Sequence, residues 1–81
     1  MKIEKLVKVS WTDSCDMAHW QSISDIRSMT PLKWCSVGYV IKQDKRCIVL
    51  ASHLTEEGQG VGVMCIPTQN ILKIKRINGK K

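Results

Sequence analysis

The sequence predicts a small, mainly β protein whose five strands curl into a single barrel. Three observations support this prediction. Apolar and polar residues alternate over short segments, the apolar residues lean toward Val and Ile with no Phe, and Gly, Asp and Pro separate the segments. Five short strands in a flat sheet would leave an apolar face and two edges uncovered, and curling into a barrel covers both.

Length and charge limit how the chain is organised and what it binds. Its 81 residues suffice for one domain near the lower size limit for an adequate core. We assign residues 1–78 to one barrel domain and 79–81 to a basic tail. The net charge of +6 favours nucleic acids, nucleotides or acidic protein surfaces as partners, although such a charge also keeps a small domain soluble.

Five segments have the composition and pattern of strands. In chain order they are residues 2–11, 33–42, 46–55, 61–66 and 71–77. Within the second segment, Gly38 predicts a bulge or a tight bend. The second and third segments are separated by a short turn and therefore predict a hairpin.

The stretch between the first two strands predicts an irregular excursion with a short helix. Apolar residues recur every three positions within residues 17–30, which allows one or two helical turns. Ser22 or Ser24 is the expected N-cap, and Pro31 ends the segment.

The segment "IPTQNILKI", residues 66–74, resembles the proline-containing turn before the last strand of SH3-like and Sm-like barrels. In those folds a long loop follows the first strand, and a single 3₁₀ turn joins the last two strands. The resemblance implies such a 3₁₀ turn before the fifth strand, and pairing of the first strand with the last. It implies no activity, because these barrels have many unrelated functions.

A second resemblance concerns origin. The stretches "VSWTDSCDMAHW", "CSVGYVI", "VLASHL" and "IPTQNILKIKRI" make the chain similar to small proteins encoded by bacteriophages and prophages. That similarity implies a phage accessory gene whose product acts in the host cytosol. One variant of this role is sequestration of a nucleotide signal used in host defence.

The cysteines predict free thiols and no metal site. Cys15, Cys35, Cys47 and Cys65 lie 20, 12 and 18 positions apart, so no pair has the local spacing of zinc ligands. The first residues lack the continuous apolar run of a signal peptide. We therefore expect a protein of the reducing cytoplasm, with no metal and no cofactor.

No catalytic constellation stands out. Asp13, Cys15 and His19 are close in sequence, but the charges around Cys15 are acidic and would not favour its thiolate. Asp13 and Asp16 flank a turn and are expected to cap it rather than to perform acid–base or metal chemistry. We predict that the protein is not an enzyme. An enzyme that used Cys15 or His19 is the competing interpretation.

The basic residues of the first and last strands form one candidate site. If these strands pair, their lysines gather into a positive patch suited to phosphate groups, although outward strand positions are often charged for other reasons. The predicted phosphate-binding residues are Lys2, Lys8, Lys73, Lys75 and Arg76.

Aromatic residues near the excursion form a second candidate site. Trp11 aligns with Val7 and Val9 and is expected in the core, whereas Trp20 and Trp34 are the better candidates for exposure. A groove of aromatic and acidic groups can stack a base or hold an apolar or cationic side chain. The predicted ligand-binding residues are Trp20, Trp34, Asp13 and His53.

Two functional hypotheses follow. The first is a non-enzymatic, homo-oligomeric binding module that recognises a nucleotide or nucleic acid through its basic surface. The alternative is an adaptor or inhibitor that docks a host protein through the aromatic groove or an edge strand. Self-association would cover apolar side chains that a small barrel cannot bury, and no membrane partner is expected.

Overall fold

The computed structural model describes residues 4–16 and 18–77, which form a five-stranded antiparallel sheet with little helix. The mainly β class is therefore confirmed. The elements are β1 (Leu6–Asp13), α1 (Ile23–Arg27), β2 (Leu32–Gln43), β3 (Cys47–Leu54), β4 (Gly60–Pro67), a 3₁₀ turn (Thr68–Asn70) and β5 (Ile71–Arg76). Across the sheet the strand order is β4-β3-β2-β1-β5.

The 3₁₀ turn forces the sheet to curl. It joins β4 to β5, which are the two edge strands of the sheet. In a flat sheet these edges would lie about 19 Å apart, or four strand spacings. Three residues of 3₁₀ helix rise only about 6 Å. The two edges must therefore approach each other at this end of the sheet.

Hydrogen bonds hold the turn against both sides of the curl. The Thr68 amide donates to the carbonyl oxygen of Arg46 at 2.9 Å, which fixes the turn to the start of β3. Asn70 Nδ2 donates to the carbonyl oxygen of Thr12 at 2.9 Å, which fixes it to the end of β1. Pro67 ends β4 as predicted, and the 3₁₀ turn that follows it is confirmed.

The sheet does not close into the predicted barrel. No strand pairing joins β4 to β5 within residues 4–16 and 18–77. β2 pairs with β1 from Leu32 to Tyr39, but with β3 only from Tyr39 to Gln43. The part of β2 before Tyr39 therefore does not pair with β3. A bulge between Val40 and Lys42 bends β2 at this point, because an extra residue increases the local twist.

The core lies on the concave face of the curled sheet. Val7, Val9 and Trp11 alternate with more exposed residues along β1, as predicted for a strand with one apolar face. They pack with inward residues of β3 and β4. The buried cluster consists of Val7, Val9, Trp11, Ile48, Leu50 and Ile66, with Val40 and Ile71 packed against it.

The predicted bulge or bend at Gly38 is wrong. Gly38 lies within the regular pairing of β1 with β2, and the bulge occurs at Ile41 instead. Gly38 serves a different purpose, because a Cβ atom there would come within 3.0 Å of the Leu50 Cβ and 3.1 Å of the Ala51 carbonyl oxygen. The absence of a side chain lets β3 approach β2 closely.

The excursion between β1 and β2 contains one short helix. Ser22 is its N-cap, and its hydroxyl accepts a hydrogen bond from the Asp25 amide at 3.1 Å. α1 has only five residues, and none of them is buried. Within the part of the chain that the structure describes, no helix is both long and apolar enough to cross a membrane.

Replacing Asn70 with alanine should destabilise the curl. The variant leaves the half-buried Thr12 carbonyl without its side-chain donor, so we expect the free energy of unfolding to fall by about 1–2 kcal/mol. Urea unfolding at fixed protein concentration measures this change. Gln69→Ala, in the same turn and exposed, is the matched control and should change stability by less than about 0.5 kcal/mol. Equal losses in both variants would contradict this role of Asn70.

Candidate phosphate-binding surface

The pairing of β1 with β5 brings three lysines together on the outer face of the sheet. Lys8 lies directly opposite Lys75, and Ser10 lies opposite Lys73. Directly paired residues of an antiparallel ladder project to the same face. Val7 and Val9 point into the core, so the lysines between and beside them point outward. Lys8, Lys73 and Lys75 are all exposed.

β2 adds a fourth lysine to this surface. Thr12 pairs with Lys33, which projects to the same outer face as Lys8. We call Lys8, Lys33, Lys73 and Lys75 the lysine patch. Lys33 was missed in the sequence because its neighbours depend on the register between β1 and β2. Alternation from Cys35 shows which face of β2 Lys33 occupies, but not which residue of β1 lies beside it.

The lysine patch has no acidic counterpart on the outward positions of β1. The outward positions of β1 hold Leu6, Lys8, Ser10 and Thr12, and none of these is a carboxylate. Among the described residues the only ion pair joins Lys42 to Asp44, at 3.4 Å in the turn between β2 and β3. Like charges directly opposite each other in a ladder are unfavourable. An anion bound between Lys8 and Lys75 would relieve this repulsion.

Arg76 is a predicted phosphate-binding residue that is not part of the patch. Arg76 pairs with Val7, which is buried, so Arg76 projects from the concave face of the sheet rather than from the outer one. Lys2 lies outside the described residues. The structure thus brings together Lys8, Lys73 and Lys75 and separates Arg76 from them.

The aromatic candidate Trp34 stacks on the core residue Trp11. Their ring centroids are 6.0 Å apart and the ring planes differ by 21°. Trp11 Nε1 donates a hydrogen bond to Ser36 Oγ at 3.0 Å, and Ser36 Oγ contacts Met64 Sδ at 3.5 Å. Trp11 is buried as predicted, whereas Trp34 is 48% exposed. Trp34 therefore presents a ring face at the open side of the concave surface.

The other predicted ligand-binding residues do not join Trp34 in one pocket. Asp13 shares the concave face but accepts a hydrogen bond from the Ser14 amide at 2.8 Å, as a turn cap does. His53 pairs with Val61 on the outer face. Trp20 is fully exposed and lines a shallow depression formed by the excursion itself. The predicted exposure of Trp20 and Trp34 is confirmed, but the four residues occupy separate places.

The four cysteine thiols are free. A hydrogen bond with the Cys65 thiol is the main cause that raises the pKa of Cys47, with burial contributing next. A raised pKa keeps the thiol protonated and weakens it as a nucleophile. Across residues 4–16 and 18–77, no group of His, Cys, Asp and Glu side chains has a metal-binding arrangement.

No protein-family model, curated protein or solved structure matches the chain. The lysine patch and the Trp34 ring must therefore be judged on geometry and charge alone.

Asp44 organises the turn that precedes β3. Its Oδ1 accepts hydrogen bonds from the amides of Arg46 at 2.8 Å and Cys47 at 3.0 Å. These two bonds are the main reason that the pKa of Asp44 lies below its ordinary value of 3.8. Because the folded-state pKa is lowered, the charged carboxylate stabilises the fold above the ordinary value. That contribution is lost as the pH falls through the lowered pKa.

Asp44→Asn should therefore lower the melting temperature at pH 7. The difference from the unchanged protein should shrink as the pH falls below about 4, because the carboxylate also becomes neutral there. Thermal unfolding followed by circular dichroism from pH 7 to pH 2.5 measures both curves. Glu57→Gln removes the same charge from the exposed loop between β3 and β4 and should leave the melting temperature unchanged at pH 7. A pH-independent effect of Asp44→Asn would contradict the assigned role of its charge.

Proposed function

We propose that this protein is a non-enzymatic binding module that holds the phosphate groups of a nucleic acid or nucleotide on its lysine patch. The observation that carries the proposal is the direct pairing of Lys8 with Lys75, next to Lys73 and with no carboxylate on the outward positions of β1. Such a concentration of exposed, unneutralised charge attracts phosphate anions.

The shape of the patch favours a nucleic-acid strand over an isolated nucleotide. Lys75 and Lys73 are two residues apart along β5, or about 7 Å, and Lys33 continues the patch across β1 onto β2. A row of cations on an outward sheet surface suits successive phosphates of a chain. The patch contains no aromatic or amide side chain to read a base, so binding should depend little on sequence.

The resemblance to small phage proteins adds a cellular role to this proposal. In a host cell the module would act in the cytosol as an accessory protein that occupies host or phage nucleic acid. Sequestration of a host-defence nucleotide signal is the narrower form of the same role. A small nucleotide that copurifies with the protein, detected by native mass spectrometry, would support this narrower form.

Charge reversal on β5 tests the proposal directly. Fluorescence anisotropy with labelled single-stranded and duplex oligonucleotides should show binding that weakens steeply with added salt. Lys73→Glu/Lys75→Glu should weaken binding at least about tenfold. It should also lower the slope of log affinity against log salt by between one and two, because two phosphate contacts are lost.

A charge-matched control separates the patch from the net charge. Arg27→Glu/Lys45→Glu makes the same charge change in α1 and in the exposed turn between β2 and β3. It should reduce affinity by less than a third as much as the β5 variant. Equal losses would mean that only overall charge matters, and unchanged binding by the β5 variant would refute the patch.

The exposed ring of Trp34 favours a second candidate, an adaptor that docks a protein. An exposed tryptophan packed on a rigid neighbour is a common anchor in protein interfaces. In that case, partner binding would be insensitive to salt and would be lost in Trp34→Ala, while Lys73→Glu/Lys75→Glu would leave it intact.

A further inference from the structure

The strands β3 and β4 are apolar on both faces. Their inward residues Ile48, Leu50 and Ile66 are buried in the core, as expected. Apart from His53, their outward residues are apolar too, although an antiparallel sheet with one solvated face normally carries polar residues there. Together with β2 they form what we call the outer apolar face: Val37, Tyr39, Val49, Ala51, Val61, Val63 and Cys65.

The register makes this face continuous. Tyr39 pairs with Ala51, and Ala51 pairs with Val63, so the three form one row across β2, β3 and β4. In the next row, His53 pairs with Val61. Neither row contains Lys, Arg, Asp or Glu, whereas the row of Val49 and Cys65 ends at Lys42 on β2. Val61 and Val63 are 62% and 63% exposed, which is unusual for neighbouring β-branched residues on one face.

The chain as a whole exposes more surface than a compact monomer of its mass. The accessible surface is 6965 Å². A compact monomer of 9.2 kDa is expected to expose about 4900 Å². The radius of gyration is 16.4 Å, against about 12 Å for a compact chain of this length. The excess of about 2000 Å², to which the exposed excursion contributes as well as the outer apolar face, is comparable to what each partner buries in an obligate interface.

We infer that the outer apolar face is the interface with a second copy of this chain. The two sheets would pack face to face about a two-fold axis near Val63. A two-fold interface needs a surface that is complementary to itself, and the apolar surface around Val61 and Val63, with lysines only at its border, meets this condition. A chain of net charge +6 repels its copy over most other orientations.

The outer apolar face borders the lysine patch where Val37 pairs with Lys8, but the strand order keeps its β3 and β4 part away from Lys73 and Lys75. β4 lies at one edge of the sheet and β5 at the other, with three strands between them. An axis over β3 and β4 therefore leaves Lys73 and Lys75 of each copy open. The dimer would carry two separate patches, and loss of dimerisation need not abolish phosphate binding by one chain.

Sedimentation velocity and light scattering of the full chain over a range of concentrations test the inference. The unchanged protein should have twice the 9.2 kDa chain mass at micromolar concentration. Val63→Lys should place a charge at the axis and raise the dissociation constant at least about 30-fold. If the lysine variant fails to fold, Val61→Thr/Val63→Thr is the second test. It keeps the branched shape of both side chains and should also weaken association.

Ile23→Lys is the matched control. Ile23 is 62% exposed, like Val61, but lies on α1 away from the sheet, so this variant should remain a dimer. Three results would each overturn the inference. These are a monomeric unchanged protein, a dimer that survives both Val63→Lys and the double Thr variant, and a dimer lost in Ile23→Lys but kept in Val63→Lys. Flotation of the unchanged monomer with phosphatidylcholine vesicles would assign the face to lipid instead.

Discussion

The three-residue connection between the two edge strands is the constraint on which the rest of the structure depends. β4 and β5 are consecutive in the chain but lie at opposite edges of the sheet. Only a curled sheet permits so short a link between them. The curl in turn creates a concave face that a small number of apolar residues can fill, and Asn70 holds the turn to β1 at that point.

The same connection determines the surface chemistry. Because the turn returns the chain to β1, β5 runs antiparallel to β1 with Lys75 beside Lys8. β5 alone carries Lys73, Lys75 and Arg76, and the pairing adds Lys8 beside the two lysines. The repulsion between the paired lysines is tolerated because β1 is anchored by its buried Val7, Val9 and Trp11, whose burial is worth several kcal/mol in total. An exposed pair of like charges costs far less than that.

Much of this arrangement could be predicted from the sequence, because it depends on local patterns. Period-two alternation located the strands, and Pro67 marked the end of β4 and the turn that follows. The pairing of β1 with β5 came from the resemblance to small barrels. The open sheet could not be predicted, since the bulge at Ile41 has no marker such as glycine. The sequence analysis does not include Lys33 in the patch and wrongly includes Arg76, for a related reason. The neighbours of both residues depend on the register between strands, which alternation within one strand does not specify.

The alternation that identifies strands also has a limit that matters for function. In β1 one face is apolar and the other polar, so the pattern indicates a strand with one solvated side. In β3 and β4 the pattern breaks down, because Val49, Ala51 and Val63 are as apolar as the core residues between them. Loss of alternation is characteristic of a strand that is covered on both sides. Ala51 is itself buried, but within residues 4–16 and 18–77 the outward side chains of Val37, Val61 and Val63 are more than half exposed. These exposed valines, on strands whose pattern is that of interior strands, are the observation on which the proposed association with a second copy rests.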